Sequence, residues 1–179
     1  MNTKKIVLTL TFIVAVSISA FAQRFAYVDS EYILKHVPEY LAAQKQLDAL
    51  SEKWQKEVDT RYSSIERMYK AYQQDQVMLS DEMRKKREDE IVQKEKETKD
   101  FQKKIFGFEG DLYQERLKLI KPIQERVAKA IQAVAEAQSL DAILDKKSEG
   151  TTFLYSNPKL DKSNDVLAKL GYKGEALAK

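Results

Sequence analysis

The 179-residue chain has no cysteine and a single histidine, His36. Without cysteine there is no disulfide framework, and stability is left to packing and association. Cys–His metal sites and Cys–His nucleophiles are excluded with it, and one histidine at a helix end gives no support to a Ser–His triad. The five glycines and three prolines are too scattered to form a GxGxxG or Walker-type phosphate loop. They are also too few for long disordered tracts. No catalytic, cofactor-binding or metal-binding residue is assigned, no cofactor is expected, and the chain reads as a non-enzyme. Carboxylates abound, but they lie in salt-bridge-laced helical sequence where nothing suggests a pocket.

A long hydrophobic run occurs only once. Lys4 and Lys5 precede Ile6 to Phe21, a sixteen-residue apolar stretch, and Ala20-Phe21-Ala22 fits the small-x-small cleavage rule. A membrane-spanning helix needs about 20 residues, so residues 1–22 read as a cleaved secretory signal rather than an anchor. The expected location is periplasmic. Removing Lys4 and Lys5 lowers the formal charge from +3 to +1. A chain so nearly neutral lacks the basic excess of a nucleic-acid binder, and no nucleic-acid partner is expected.

Residues 39 to 138 are charged, helix-forming sequence with one clear interruption, near Leu79-Ser80. Up to about Gln76, the residues Trp54, Val58, Tyr62, Ile65, Met68, Tyr69 and Tyr72 fall within one apolar arc at 100° per residue. Ser80 is a suitable N-cap, with Asp81 and Glu82 in the first turn behind it. The connection is tight, so two long antiparallel helices are expected. The returning helix carries a main stripe that includes Phe101, Ile105, Phe108, Leu112, Ile123 and Val127. Phe106, Tyr113, Leu117 and Ile120 form a second shoulder that asks for another neighbour. Between Met83 and Phe101 the stripe is thin, because Arg87, Lys94 and Thr98 interrupt it. Gly107 and Gly110 weaken this helix, and Pro122 is expected to kink or end it locally. They read either as hinges or as tolerated irregularities.

Short β-like segments flank the helices. Phe25-Ala26-Tyr27-Val28 reads as a strand, and Leu140–Asp145 and Thr152–Tyr155 read as a hairpin closed by Lys146–Gly150. Lys162 to Leu170 is a short helix ended by Gly171. The fold class is therefore α+β: a small β-strand body at residues 23–40 and 121–179, and a long antiparallel coiled-coil hairpin arm at 41–120. A two-stranded sheet is marginal in water, so association should complete the body's core. Tyr27, Val28, Ile143, Leu144, Phe153 and Tyr155 are the expected oligomerisation residues. Tyr62, Tyr69, Phe106, Tyr113 and Leu117 are candidates for contact with apolar, non-native segments, although helix–helix packing or a subunit interface would also explain them. Arg84-Lys85-Lys86-Arg87 is a compact basic cluster that could meet anionic lipid at a membrane surface; Glu88, Asp89 and Glu90 follow it and balance it.

These segments resemble the Skp/OmpH periplasmic chaperones of Gram-negative bacteria across essentially the whole exported chain. The most specific pieces are Phe25-Ala26-Tyr27-Val28-Asp29-Ser30-Glu31-Tyr32-Ile33-Leu34 and the block from Ile131 to Asp145. Tyr155-Ser156-Asn157 and Asp165-Val166-Leu167 complete the likeness. The resemblance implies a homotrimer in which strands from three chains form a body and three hairpins surround an open cavity. It also implies an ATP-independent holdase for unfolded outer-membrane β-barrel proteins, with no cofactor. One departure stands out: well-known members are strongly basic. Here residues 51–79 carry five acids and five bases, and residues 80–104 carry eight and nine. The alternative reading is an envelope coiled-coil scaffold or spacer that binds a folded partner.

Overall fold

The computed structural model describes residues 24–148, 150 and 152–174. The expected signal segment, residues 1–22, lies outside the described residues. The elements run β1 (Phe25–Val28), α1 (Ser30–Lys35), α2 (Pro38–Asp75), α3 (Asp81–Phe106), α4 (Asp111–Ala137), β2 (Ala142–Asp145), a 3-10 turn (Pro158–Leu160) and α5 (Ser163–Leu170). This is the α+β class read from the sequence: a long helical hairpin and a small two-stranded sheet. The chain divides into two compact units. One comprises the chain to Tyr32 together with Ala130 onward; the other is Ile33–Lys129.

In the first unit, β1 and β2 pair in parallel, with Phe25 opposite Ala142 and Val28 opposite Asp145. The expected antiparallel hairpin between Leu140–Asp145 and Thr152–Tyr155 does not form, and Thr152–Tyr155 is not a strand. The chain leaving β2 is held by the corner after β1 instead of turning back. The Lys146 amide donates to the Val28 carbonyl at 2.9 Å. Asp145 Oδ1 accepts from the Lys147 and Ser30 amides at 3.0 and 3.2 Å. Asp29 is the N-cap of α1, its Oδ1 accepting from Tyr32 N at 2.8 Å. Its own amide donates to Ser163 Oγ, also at 2.8 Å. On the far edge of β1 the Lys162 amide donates to the Tyr27 carbonyl at 2.9 Å. α5 ends as the sequence reads, with Gly171 at φ 88° and its amide on the Ala168 and Leu167 carbonyls. Ala26, Tyr27, Val28, Val134, Ser163, Val166 and Leu167 are buried and make this unit's core.

Asp145 makes this corner sensitive to acid. Partial burial works against its charge, but hydrogen bonds from the Ser30 hydroxyl and from the Lys147 and Ser30 amides outweigh it. They hold its pKa below the ordinary 3.8. The stabilisation is complete above the ordinary value and is lost as the pH falls through the lower, folded-state one. Urea unfolding followed below pH 3.8 is expected to show this loss, and Asp145→Asn is expected to flatten it. An acid limb unchanged in the variant would assign the loss to other carboxylates.

In the second unit, α2 has 38 residues and is about 57 Å long. Residues 76–80 connect it to α3, and Ser80 caps α3 by accepting from Met83 N. The antiparallel course shows in the cross-pairs, whose partners run back from Arg126 through the neighbouring Phe101 and Gln102 to Glu88 as the outgoing helix advances from Glu39 to Tyr72. The pairs are Glu39 with Arg126 at 3.1 Å, Arg61 over the Phe101 ring at 4.1 Å, Tyr62 with Gln102 at 3.3 Å, and Tyr72 with Glu88. Ala43, Leu47, Val58 and Ile65 of α2 are buried, as are Ile91, Thr98 and Ile105 of α3. Thr98 is tolerated in the seam because its hydroxyl donates to the Lys94 carbonyl at 2.8 Å. The return path is not one helix. It stops at Phe106 and restarts at Asp111, whereas Pro122 sits inside α4 without ending it. Pro122 lies on the exposed face, where water can reach the Lys118 carbonyl that loses its donor.

Candidate functional site

The expected oligomerisation residues divide by exposure. Tyr27 and Val28 are buried in their own chain, and the Tyr27 ring lies tilted against Phe153 at 5.9 Å. Ile143 and Phe153 are half-buried. Leu144 is half exposed and Tyr155 is 80% exposed. Phe25, Leu154 and Leu160 also stand open, and Leu154 is 97% exposed. Leu154 was missed because Phe153 and Tyr155 looked like the inward positions of a strand, a reading that leaves the residue between them unremarked. For a unit with so small a sheet, this is a large apolar surface.

On the hairpin, Tyr62 and Tyr69 lie at the edge of the α2 stripe and are exposed, while Trp54, Met68 and Tyr72 are half-buried. The Tyr72 hydroxyl donates to Glu88, and this bond raises the pKa of the phenol above its ordinary value. Lys94 and Gln93 donate to Glu97 and hold its carboxyl below the ordinary range. Of these pairs only Tyr72–Glu88 crosses the hairpin and bears on its register; the Glu97 pairs lie within α3, and exposed pairs of either kind add little stability. Phe106 is half-buried, whereas Tyr113 and Leu117 of α4 are exposed. Ile120, read as part of the same shoulder, is buried.

The break between α3 and α4 is tightly built. The Gly107 amide donates to Lys103 O, the Gly110 amide to Gly107 O at 2.9 Å, and the Gln114 amide to Gly110 O at 3.0 Å. Lys104 Nζ bridges to Asp111 at 3.5 Å. Glu109 is left-handed, with φ 53°. The outcome is that Phe108 projects into solvent, 97% exposed. The two residues before it, Phe106 and Gly107, line a cleft of about 350 Å³ together with Leu47, Ile105, Leu112, Tyr113, Asp48 and Arg116. The sequence reading put Phe108 on the packed stripe. The signal that could have moved it out is its place between two glycines.

At the hairpin tip, Arg84, Lys85, Lys86 and Arg87 are exposed, as are Val77, Met78 and Met83. Arg84 is turned back, with Nε on the Leu79 carbonyl at 3.3 Å and a guanidinium nitrogen 3.5 Å from Asp81. From Asp75 to Glu90 there are six acids against four bases. The tip field is thus not cationic, which disfavours capture of anionic lipid. Among the described residues no cluster of His, Asp or Glu could hold a metal ion, and no helix is long and apolar enough to cross a membrane.

The chain matches the family of outer membrane proteins described as OmpH-like over residues 24–170. No curated protein matches it. A crystal structure of an OmpH-like protein from Caulobacter crescentus superposes with a TM-score of 0.68. The match covers 88% of this chain and 90% of that one at 13% identity, a likeness of fold.

Proposed function

Because the chain belongs to the OmpH-like outer membrane protein family, we propose that it is an exported, ATP-independent holdase for unfolded outer-membrane β-barrel proteins. It works in the periplasm as a homotrimer whose helical arms surround the client. The observation that carries this reading is the arm itself. Tyr62, Tyr69, Phe108, Tyr113 and Leu117 are large apolar side chains left open on a long hairpin. A folded partner would call for one contiguous patch, whereas weak apolar contacts spread along an arm suit a chain with no fixed shape. Association through the sheet-bearing unit has the same kind of support, since Leu144, Leu154 and Tyr155 leave apolar surface that a second and third copy would cover.

The near-balance of charge along the arm separates apolar capture from electrostatic capture. A urea-unfolded outer-membrane β-barrel protein diluted into a stoichiometric amount of trimer is expected to stay soluble. Raising the salt is expected to change that little, because exposed charges are screened over about 10 Å at 0.1 M. Aggregation at the rate of the client alone would end the holdase reading. Light scattering on the exported chain tests the assembly, and a monomer mass would remove the enclosing cavity from the proposal.

A further inference from the structure

The break at Gly107–Gly110 is a device the hairpin does not need for its own packing. Counting at 3.6 residues per turn, Ile105 and Ile123 lie five full turns apart, so an unbroken helix would keep both on the buried face. Axial register permits the same continuity. From Tyr62 to Glu39 the outgoing helix advances nearly the same number of residues as the return path from Gln102 to Arg126. The chain nevertheless adopts a left-handed Glu109 and holds Phe108 out in water on a hydrogen-bonded loop. Strain and exposure of this kind, held in place by surrounding bonds, mark a site rather than a frayed end.

We propose that Phe108 and the adjoining cleft are the arm's anchoring site for client chains, and that they take extended, uncharged segments bearing aromatic or branched apolar side chains. This rests on the holdase reading and names the class of segment held. The cleft walls supply Leu47, Ile105, Phe106, Leu112 and Tyr113. The two charged lining residues, Asp48 and Arg116, are of opposite sign, and beside them Lys104 is already paired with Asp111. The site therefore has no net charge to recruit an ionic ligand. In an extended chain, residues i and i+2 point the same way about 6.6 Å apart, so a segment of a few residues can offer one side chain to the cleft and another to the exposed Phe108 ring. A second copy is a poor occupant. A stable interface buries about 800 Å² on each partner, and a single aromatic ring offers about 200 Å².

Because the chain has no cysteine, Phe108→Cys and Val92→Cys each carry one benzophenone photo-crosslinker; Val92 is an exposed apolar residue of α3 away from the break. With a urea-unfolded outer-membrane β-barrel protein as probe, position 108 is expected to crosslink to the client at least about fivefold more than position 92. Phe108→Ser is expected to raise the amount of protein needed for half-suppression of aggregation by about fivefold, and Val92→Ser to leave it unchanged. Equal crosslinking at both positions, or full suppression by Phe108→Ser, overturns the anchoring site while the holdase stands. Crosslinks from position 108 to a second copy without client overturn it in favour of a subunit contact. Failure of the unmodified protein to suppress aggregation ends the holdase reading on which the site rests.

Discussion

Alanine at both Gly107 and Gly110 is expected to fuse α3 and α4 into one helix and to stabilise the hairpin by at most about 2 kcal/mol, since each alanine favours the fused helix by about 1 kcal/mol over glycine and the broken form it replaces is the one the glycines prefer. The present loop cannot accept either side chain. A Cβ on Gly110 would lie 2.6 Å from the Ile105 carbonyl oxygen and 2.7 Å from that of Lys104, and a Cβ on Gly107 would collide with the Lys103 carbonyl. These are backbone atoms and cannot swing aside. The continuous helix has no such conflict, and it releases Glu109 from a left-handed conformation that costs about 1–2 kcal/mol. Phe108 would then fall at the edge of the buried stripe and close the cleft beside it. Far-UV circular dichroism should show added helix, and urea melts should show a higher midpoint. Unchanged helicity with lower stability would mean that the loop is held by more than its glycines. The same variant should be the poorer holdase, a trade between stability and an exposed working surface that proteins commonly make.

This break also marks where the sequence stops being legible. The helices, the Ser80 cap, the left-handed Gly171 and the strand at Phe25–Val28 each follow from local chemistry acting over a few residues. Hydrophobic phase carried the hairpin as well, since Ile91 and Ile105 lie fourteen residues apart on one helix face and are buried together. That same phase hid the break. Ile105 and Ile123 stay aligned across it, so periodicity alone describes one helix where the structure has two. Pro122 drew attention because a proline interrupts hydrogen bonding, yet on a solvent-facing turn that loss is small. The parallel pairing of β1 with β2 was illegible for another reason. A four-residue strand such as Ala142–Asp145 does not encode its partner, and the nearest β-like segment, Thr152–Tyr155, was the obvious choice. What decided the pairing was polar: Asp145 and Lys146 bind the corner after β1, a contact more than a hundred residues apart in sequence.

Leu167→Ala should be the most damaging single truncation in the sheet-bearing unit, with an expected loss of about 3 kcal/mol. Leu167 is fully buried on α5, beside the equally buried Val166. α5 cannot easily shift to fill the space. Its first residue, Ser163, is bonded to the Asp29 amide, the preceding Lys162 amide is bonded to Tyr27, and its last turn is closed by the Tyr172 amide on Leu167 O at 2.9 Å. A cavity that cannot collapse lies at the costly end of such substitutions. Against a domain stability of about 5–15 kcal/mol, the loss is a large fraction. Leu167→Met, which conserves volume, should cost less than about 1.5 kcal/mol. Urea melts at several protein concentrations give the deeper test. If the copies associate through Leu144, Leu154 and Tyr155, the alanine variant should unfold with a midpoint that depends more strongly on concentration, because association then holds a weakened unit together. A loss below about 1 kcal/mol would carry the opposite lesson: the order of this unit would come from its partners, and α5 would be a passenger on a core that only assembly completes.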